Sequence, residues 1–405
     1  MEGVLDGIRV VEWSLVQQAP VAGAMLGDMG ADVIKVEPPT SDPCRGLTPV
    51  LGTDQLLPHG RHTLFEVCNR NKRGIALDLK NPKAREIVYQ LVNKADVFLT
   101  NYRSKRAREF GLDYDSLLRH NSRLIYAAAS GFGPAGPDSE MPSFDLVGAA
   151  RSGVMTGSGQ PDQSAVVPLP GGYVDQSGGI MLAFAIVAAL LARERLGIAQ
   201  RVDASLLGAQ LCLQYSTVAA LLLTGKPYGR RGRLNTTNPL YNWYECRDGK
   251  YILLGMLTPD QYWSRFCKIL GITSLEKDPR FINMPRRAEN GPELITMLDK
   301  ILITKTCREW EEIFQRADLP AGGIKDIDEV VNDPQAVANK YVIDYEHADL
   351  GKIRMPGFPL QFSKTPCSMR HPAPAFAQHN EEVLLELGYS WEDIERLRQE
   401  GVICA

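Results

Sequence analysis

From Ile180 to Ala192 the chain runs through thirteen consecutive apolar residues, directly after Pro170-Gly171-Gly172-Tyr173-Val174-Asp175-Gln176-Ser177-Gly178-Gly179. A helix that is apolar all round belongs inside a core, so the fold must supply layers on more than one side of it. At thirteen residues the run is too short to cross a bilayer. The glycines before it allow tight turns and close backbone approach. They also place one carboxylate, Asp175, at the helix start, where unpaired N–H groups and the positive end of the helix dipole favour its ionised form. Two readings follow: Asp175 caps the helix, or it is presented among small residues as a nucleophile. Position alone does not choose between them.

The 405 residues are enough for a large core and two domains. With 45 basic and 48 acidic residues the net charge is -3. No global field therefore draws in nucleic acid or an anionic membrane, and any anionic ligand must be held by local groups. The N-terminal segment has no secretory pattern and no run of about eighteen apolar residues occurs, so a cytoplasmic location is expected. The eight cysteines are scattered without a CxxC pair and the six histidines show no metal-binding spacing. Reduced cysteines and no metal are expected.

Around the apolar run the chain alternates strand and helix patterns. Ile8 to Glu12 reads as a strand, Val21 to Met29 as a helix stopped by Gly30, and Asp32 to Glu37 as a second strand. The first turn, Trp13 to Pro20, has no glycine, which argues against a nicotinamide dinucleotide there, although Glu37 is suitably placed for a ribose. Further strands are read at Gly74 to Leu79, Ala95 to Thr100, Leu124 to Ala129 and Arg201 to Ser205, with a helix after Asn81-Pro82 and a long one from Leu206 to Leu223. The pattern predicts an α/β fold with a large, doubly wound, Rossmann-like domain. Ligands then lie beyond the C-terminal strand ends, where Gln17, Lys80, Asn101-Tyr102-Arg103 and Ser130 to Gly133 converge. The neighbouring Arg103, Lys105, Arg106 and Arg108 form either a solvated helix face or a phosphate clamp.

A polar, glycine-rich linker begins at Gly225 and includes Lys226-Pro227-Tyr228-Gly229-Arg230-Arg231-Gly232-Arg233. A smaller α/β domain follows, opening with a hairpin about Asp248-Gly249 and left by a turn at Leu319 to Gly323. Its aromatics at helical spacing, Trp263, Phe266, Trp310 and Phe314, are read as core. The end of the chain is proline-punctuated and extended, with a last helix from Glu381 to Leu387 capped by Asn380. The expected division is 1–224 for the N-terminal part of the large domain, 225–325 for the small domain with its linkers, and 326–405 for a C-terminal segment completing the large one.

The order of these landmarks resembles the class III CoA-transferases, the family of formyl-CoA, carnitine, bile-acid and phenyllactate CoA-transferases. The resemblance runs from Leu5 to about Ile403. It rests on Val16-Gln17, Gly30 to Glu37, Asn69 to Arg73, Asp78-Leu79-Lys80, Asn101-Tyr102-Arg103, Ser130 to Pro137, Phe144-Asp145, Asp175 and Gln200 to Leu206. It implies that Asp175 is the catalytic nucleophile, forming aspartyl anhydride and aspartyl-CoA thioester intermediates while CoA moves from an acyl-CoA to a free carboxylic acid. It implies further that Gln17 and Gln18 lie by the reacting centre, that Leu77, Asp78, Lys80, Asn101, Tyr102, Arg103 and Arg108 line the CoA site, and that Asp145 is an acid beside the nucleophile. Backbone N–H groups near Asp175 would serve as an oxyanion hole. Coenzyme A is then a substrate, with no prosthetic group, and the active form is a homodimer of interlocked chains. Asn235 to Pro239 replaces the glycine-rich loop of the formyl-CoA enzyme. Two alternatives are a 2-methylacyl-CoA racemase of the same fold, which would need a His where Phe144 stands, and a non-catalytic CoA-binding protein. Specificity is expected from the loop 47–66, with Leu51, Leu56, Leu57, His59, His62 and Phe65, and from segment 234–243.

Overall fold

The structure is a computed structural model that describes residues 3–50, 52–157, 169–226, 229–230 and 232–404. Leu51 of the expected specificity loop and Pro227, Tyr228 and Arg231 of the polar linker lie outside the described residues. By contact density the chain divides into two units. The first comprises Met1–Met155, Pro168–Lys226 and Gln335–Ala405, the second Thr156–Val167 and Pro227–Pro334.

Six strands form the sheet of the first unit: β1 (Arg9–Trp13), β2 (Asp32–Glu37), β3 (Lys72–Ala76), β4 (Val97–Thr100), β5 (Ile125–Ser130) and β6 (Arg201–Ser205). Their order is β3-β2-β1-β4-β5-β6 and every pairing is parallel. A parallel sheet is covered on both faces, and its strand interiors are accordingly apolar, as in Val10-Val11 and Phe98-Leu99, all buried. The order reverses between β1 and β4, so the C-terminal ends of these two strands open a crevice. The turn after Trp13 and the segment Asn101 to Arg103 meet there.

Eight helices of this unit matter below: α1 (Gln18–Asp28), α2 (Thr63–Asn69), α3 (Pro82–Asn93), α4 (Ser104–Phe110), α5 (Asp145–Arg151), α6 (Tyr173–Leu196), α7 (Leu206–Leu213) and α8 (Tyr215–Thr224). Helix α6 departs from the reading of its sequence in two ways. It spans 24 residues, long enough by length and composition to cross a bilayer, and it takes in Asp175 together with the apolar run. Only one of its faces is buried, by Val174, Leu182, Ile186 and Ala189, while Ile180, Leu191 and the 72% exposed Phe184 face outward. Gly178 and Gly179 are spent on packing: a Cβ on Gly179 would stand 2.6 Å from the Gln18 carbonyl oxygen and 2.8 Å from Val21 Cβ of α1. The helix read from Leu206 to Leu223 is two helices, α7 and α8, bent by 76° at Gln214.

In the second unit a hairpin of Tyr241–Glu245 and Tyr251–Gly255 turns at Gly249, and Trp263, Phe266, Trp310 and Phe314 are buried core. Residues 321–323, read as the exit turn, instead form a strand against Tyr251–Gly255. The C-terminal residues return to the first unit, where Ala373 is fully buried and Pro374 accepts a hydrogen bond from Arg45 at 3.0 Å. Asn380 does not cap the helix that it begins; its Oδ1 accepts the Ala76 N–H at 2.9 Å. A further helix, Trp391–Gln399, follows a capping box between Ser390 and Asp393.

Candidate active site

The turn from β1 to α1 does without glycine, yet Val16 adopts φ 66°. A β-branched residue resists that conformation, at a cost of about 1–3 kcal/mol, unless its surroundings impose it. Two side chains do so. The Val16 N–H donates to both oxygens of Asp42 (3.2 and 3.3 Å), and Asn101 brackets Leu15, accepting its N–H at 3.0 Å and donating to its carbonyl at 2.6 Å.

Asp42 is anchored in turn by a fully buried charge network. Lys35 Nζ lies 3.0 Å from Asp42, 3.3 Å from Glu12 and 3.0 Å from the Ser14 carbonyl oxygen. Lys72 Nζ lies 2.7 Å from the other Glu12 oxygen and donates to the Pro20 carbonyl and Asn69. Two acids thus face two bases, which is the condition for burying them at tolerable cost. Burial acts to lower Lys35, but Asp42 and Glu12 outweigh it and hold the ammonium above its ordinary range. Burial pushes Lys72 down to about 8 against the pull of Glu12. Glu37 is held by Arg45 at 2.6 Å and by the Asp42 N–H at 3.1 Å, which occupies the acid that stood in place for a ribose.

The turn so fixed sets Gln17 against Gly172. Glycine is needed at 172 for two reasons, a φ of 81° and a Cβ position only 2.9 Å from Gln17 Oε1. Three residues on, Asp175 is 8% exposed at the edge of a cavity of about 340 Å³ bounded by Val16, Gln17, Leu47, Val50, Leu64, Val67, Phe144 and Gly171-Gly172. Among the described residues no group donates a hydrogen bond to the Asp175 carboxylate. The first-turn amides are already taken, since Asp145 Oδ1 accepts the N–H groups of Val174 (2.8 Å) and Asp175 (2.9 Å). These two amides are therefore not free to form the expected oxyanion hole. Asp145 is the helix cap, and Asp175 is not.

The charge state departs from the expectation as well. Burial, with the Asp145 carboxylate beside it, raises Asp175 from the ordinary 3.8 to about 7. The helix start does not keep it fully ionised at neutral pH. A carboxylate poised near 7 without donors is half charged and barely solvated, the state in which it attacks a carbonyl carbon with little desolvation still to be done.

A second cavity of about 360 Å³ lies at the ends of β1 and β3. Trp13 stacks on Tyr102 with ring centroids 3.9 Å apart and meets Phe110 edge-on at 5.8 Å. Leu77, Asp78 and Lys80 form one wall, Pro38, Pro39 and Thr40 another, and Arg106 stands at the rim over Phe110. An aromatic and aliphatic slot flanked by two cations suits a flat heterocycle bearing phosphates.

Of the residues singled out in the sequence, Gln17, Asp145 and Asp175 meet at the first cavity, and Leu77, Asp78, Lys80 and Tyr102 at the second. Four others are engaged elsewhere. Gln18 donates to the Ser130 carbonyl at 3.3 Å beneath Gly178, and Asn101 is committed to Leu15. Arg103 donates to the Glu140 carbonyl at 3.1 Å, and Arg108 pairs with the Glu140 side chain at 3.7 Å. Of the specificity loop, Leu47, Val50, Gln55, Thr63 and Leu64 face the first cavity, whereas Phe65 is buried under Arg45 and segment 234–243 belongs to the second unit. Sequence reasoning missed Trp13 and Phe110 as a slot. An aromatic residue ending the first strand of a doubly wound sheet is the signal that pointed there. Among the described residues no group of three or more His, Cys, Asp or Glu is placed to hold a metal.

Residues 5–380 match the family model described as CoA-transferase family III. The chain is 30% identical to the (R)-2-hydroxy-4-methylpentanoate CoA-transferase of Clostridioides difficile, over 99% of each protein. It is 32% identical to the succinyl-CoA:glutarate CoA-transferase of Mus musculus, over 98% of this chain and 90% of that one. The crystal structure of a CAIB/BAIF family protein from Brucella suis superposes with a TM-score of 0.83 at 29% identity, covering 96% of this chain and 100% of that one. The chain belongs to CoA-transferase family III.

Proposed function

We propose that the chain transfers CoA from an acyl-CoA to a free carboxylic acid through covalent intermediates on Asp175. The observation that carries this reading is a buried, donor-free carboxylate of raised pKa opening onto a cavity. An Asp175 oxygen attacks the thioester carbon, the C–S bond breaks, and a mixed anhydride and CoA thiolate result. The thiolate then attacks the Asp175 carbonyl carbon, the donor acid leaves as its carboxylate, and an aspartyl-CoA thioester remains. The acceptor carboxylate and the released thiolate repeat these two steps in reverse order, so that acyl-CoA leaves and Asp175 is restored. The Gln17 amide faces Gly172 at the cavity and can donate to the developing oxyanion. In the second cavity Trp13, Tyr102 and Leu77 would hold the adenine of CoA, with Lys80 and Arg106, whose surface pair with Glu109 at 2.9 Å would open, as its phosphate partners because these two line the cavity and Arg103 and Arg108 do not. Phe144 stands where the racemase alternative needs a histidine.

The pH dependence tests the assignment. The attacking form of Asp175 is the anion, so kcat/KM for the acyl-CoA should rise with pH about a midpoint near 7. Asp145→Asn keeps an oxygen for the two amides and removes the charge. It should move the midpoint down, by about one pH unit for a single charge at this range. An unmoved midpoint would separate the titration from the Asp145 and Asp175 pair.

The homodimer belongs to the same proposal. Outward apolar side chains on α6 (Ile180, Phe184, Leu191) and at the end of α8 (Leu222, and Leu223 at 86% exposure) are a large unpaired hydrophobic surface for one chain. Sedimentation at micromolar concentration should show dimers only. An active monomer there would contradict the interlocked assembly.

A further inference from the structure

Among the described residues the first cavity is lined by two carboxylates and by no cation. Its apolar lining is Val16, Leu47, Val50, Leu64, Val67 and Phe144, and among the described residues no Lys, Arg or His lines it. The two neutral polar residues from the loop are engaged within it, since the Thr63 hydroxyl donates to Gln55 Oε1 and Gln55 Nε2 donates to the Thr53 hydroxyl. Nearby bases are committed as well. His62 is buried, with Nε2 2.8 Å from the Leu47 carbonyl and Nδ1 accepting the Leu64 N–H at 3.2 Å. Arg45 pairs with Glu37, and Arg61 with Glu66.

An acid bound for attack at Asp175 places its reacting carboxylate by Gln17 and its carbon body against that apolar lining. A second carboxylate on the body would be desolvated without a partner and would feel repulsion from Asp145, while Asp175 is an uncharged thioester at that stage. A branched aliphatic or aromatic body would instead bury apolar surface in about 340 Å³, a volume at the small end of ligand pockets. We infer, on the reading that Asp175 carries the acyl group, that the enzyme is selective for apolar monocarboxylic acids and discriminates against dicarboxylic acids.

Isotope exchange between each free acid and its own CoA thioester tests the inference without knowledge of the natural donor. Deuterated isohexanoate or hydrocinnamate should exchange with its thioester at a kcat/KM at least ~100-fold above that of succinate or glutarate. Val67→Lys, and independently Val50→Lys on the loop, should narrow the ratio by ~10-fold or more, by raising exchange of the dicarboxylates and lowering that of the apolar acids. Dicarboxylates exchanging as fast as apolar acids in wild type would overturn the selectivity while leaving covalent transfer intact. Exchange of no acid at all would overturn the catalytic reading and the inference with it.

Discussion

Asp175→Asn is expected to abolish CoA transfer, by on the order of 10⁴-fold or more, the scale on which removal of a covalent nucleophile acts. The amide is isosteric with the acid but cannot form an anhydride. Its effect on stability has the opposite sign. A carboxyl group whose folded pKa is raised from 3.8 to about 7 is favoured in its protonated form by the fold. The associated stability is fully present below pH 3.8, is lost as pH rises through about 7, and leaves the ionised form as a standing cost above that. At about 1.4 kcal/mol per pH unit the cost approaches ~4 kcal/mol as an upper bound. Asp175→Asn should therefore unfold at a higher urea concentration than wild type at pH 8, with little difference at pH 4. A helix cap would behave otherwise: Asn caps about as well as Asp, so both activity and stability would be retained.

Lys35→Met should cost about 3–5 kcal/mol, the penalty for leaving buried charges without their partner. Asp42 and Glu12 both lose the ammonium that lies 3.0 and 3.3 Å away, while Lys72 remains to serve only Glu12. A marked fall in the urea midpoint, followed by circular dichroism, is the expected result. Because Asp42 also holds Val16 at φ 66°, the surviving folded enzyme should lose activity as Gln17 loses its placement. A change below ~1 kcal/mol would show that the network is dispensable and that the turn is held by Asn101 alone.

Much of this architecture was legible from the residues. The strands at Asp32–Glu37 and Arg201–Ser205 fall where their patterns end them, and the nucleophile candidate stood out by its glycines. Helix α1 starts earlier than read because Pro20 suggested loop, although proline is tolerated in the first turn of a helix. The break at Gln214 carried no signal, since the flanking residues are apolar on both sides. The site chemistry depended on tertiary neighbours. Glu12, Lys35 and Lys72 look like ordinary strand charges until the sheet aligns Glu12 with Lys35 and brings Lys72 to the next strand. Asp145 lies thirty residues before Asp175, so neither its capping of α6 nor its effect on the Asp175 carboxyl is visible locally. The outward face of α6 was hidden for a related reason: an apolar run fixes that a helix is buried, but not whether its own chain or a second one covers it.

The most direct measurement traps the intermediate. Wild-type protein is mixed with an acyl-CoA in the absence of acceptor acid, quenched with hydroxylamine, digested, and mapped by mass spectrometry. The account predicts a hydroxamate on the peptide containing Asp175, located at that residue, dependent on acyl-CoA and missing in Asp175→Asn. A hydroxamate on another carboxylate, or transfer that proceeds with no trappable acyl group on the protein, would contradict it.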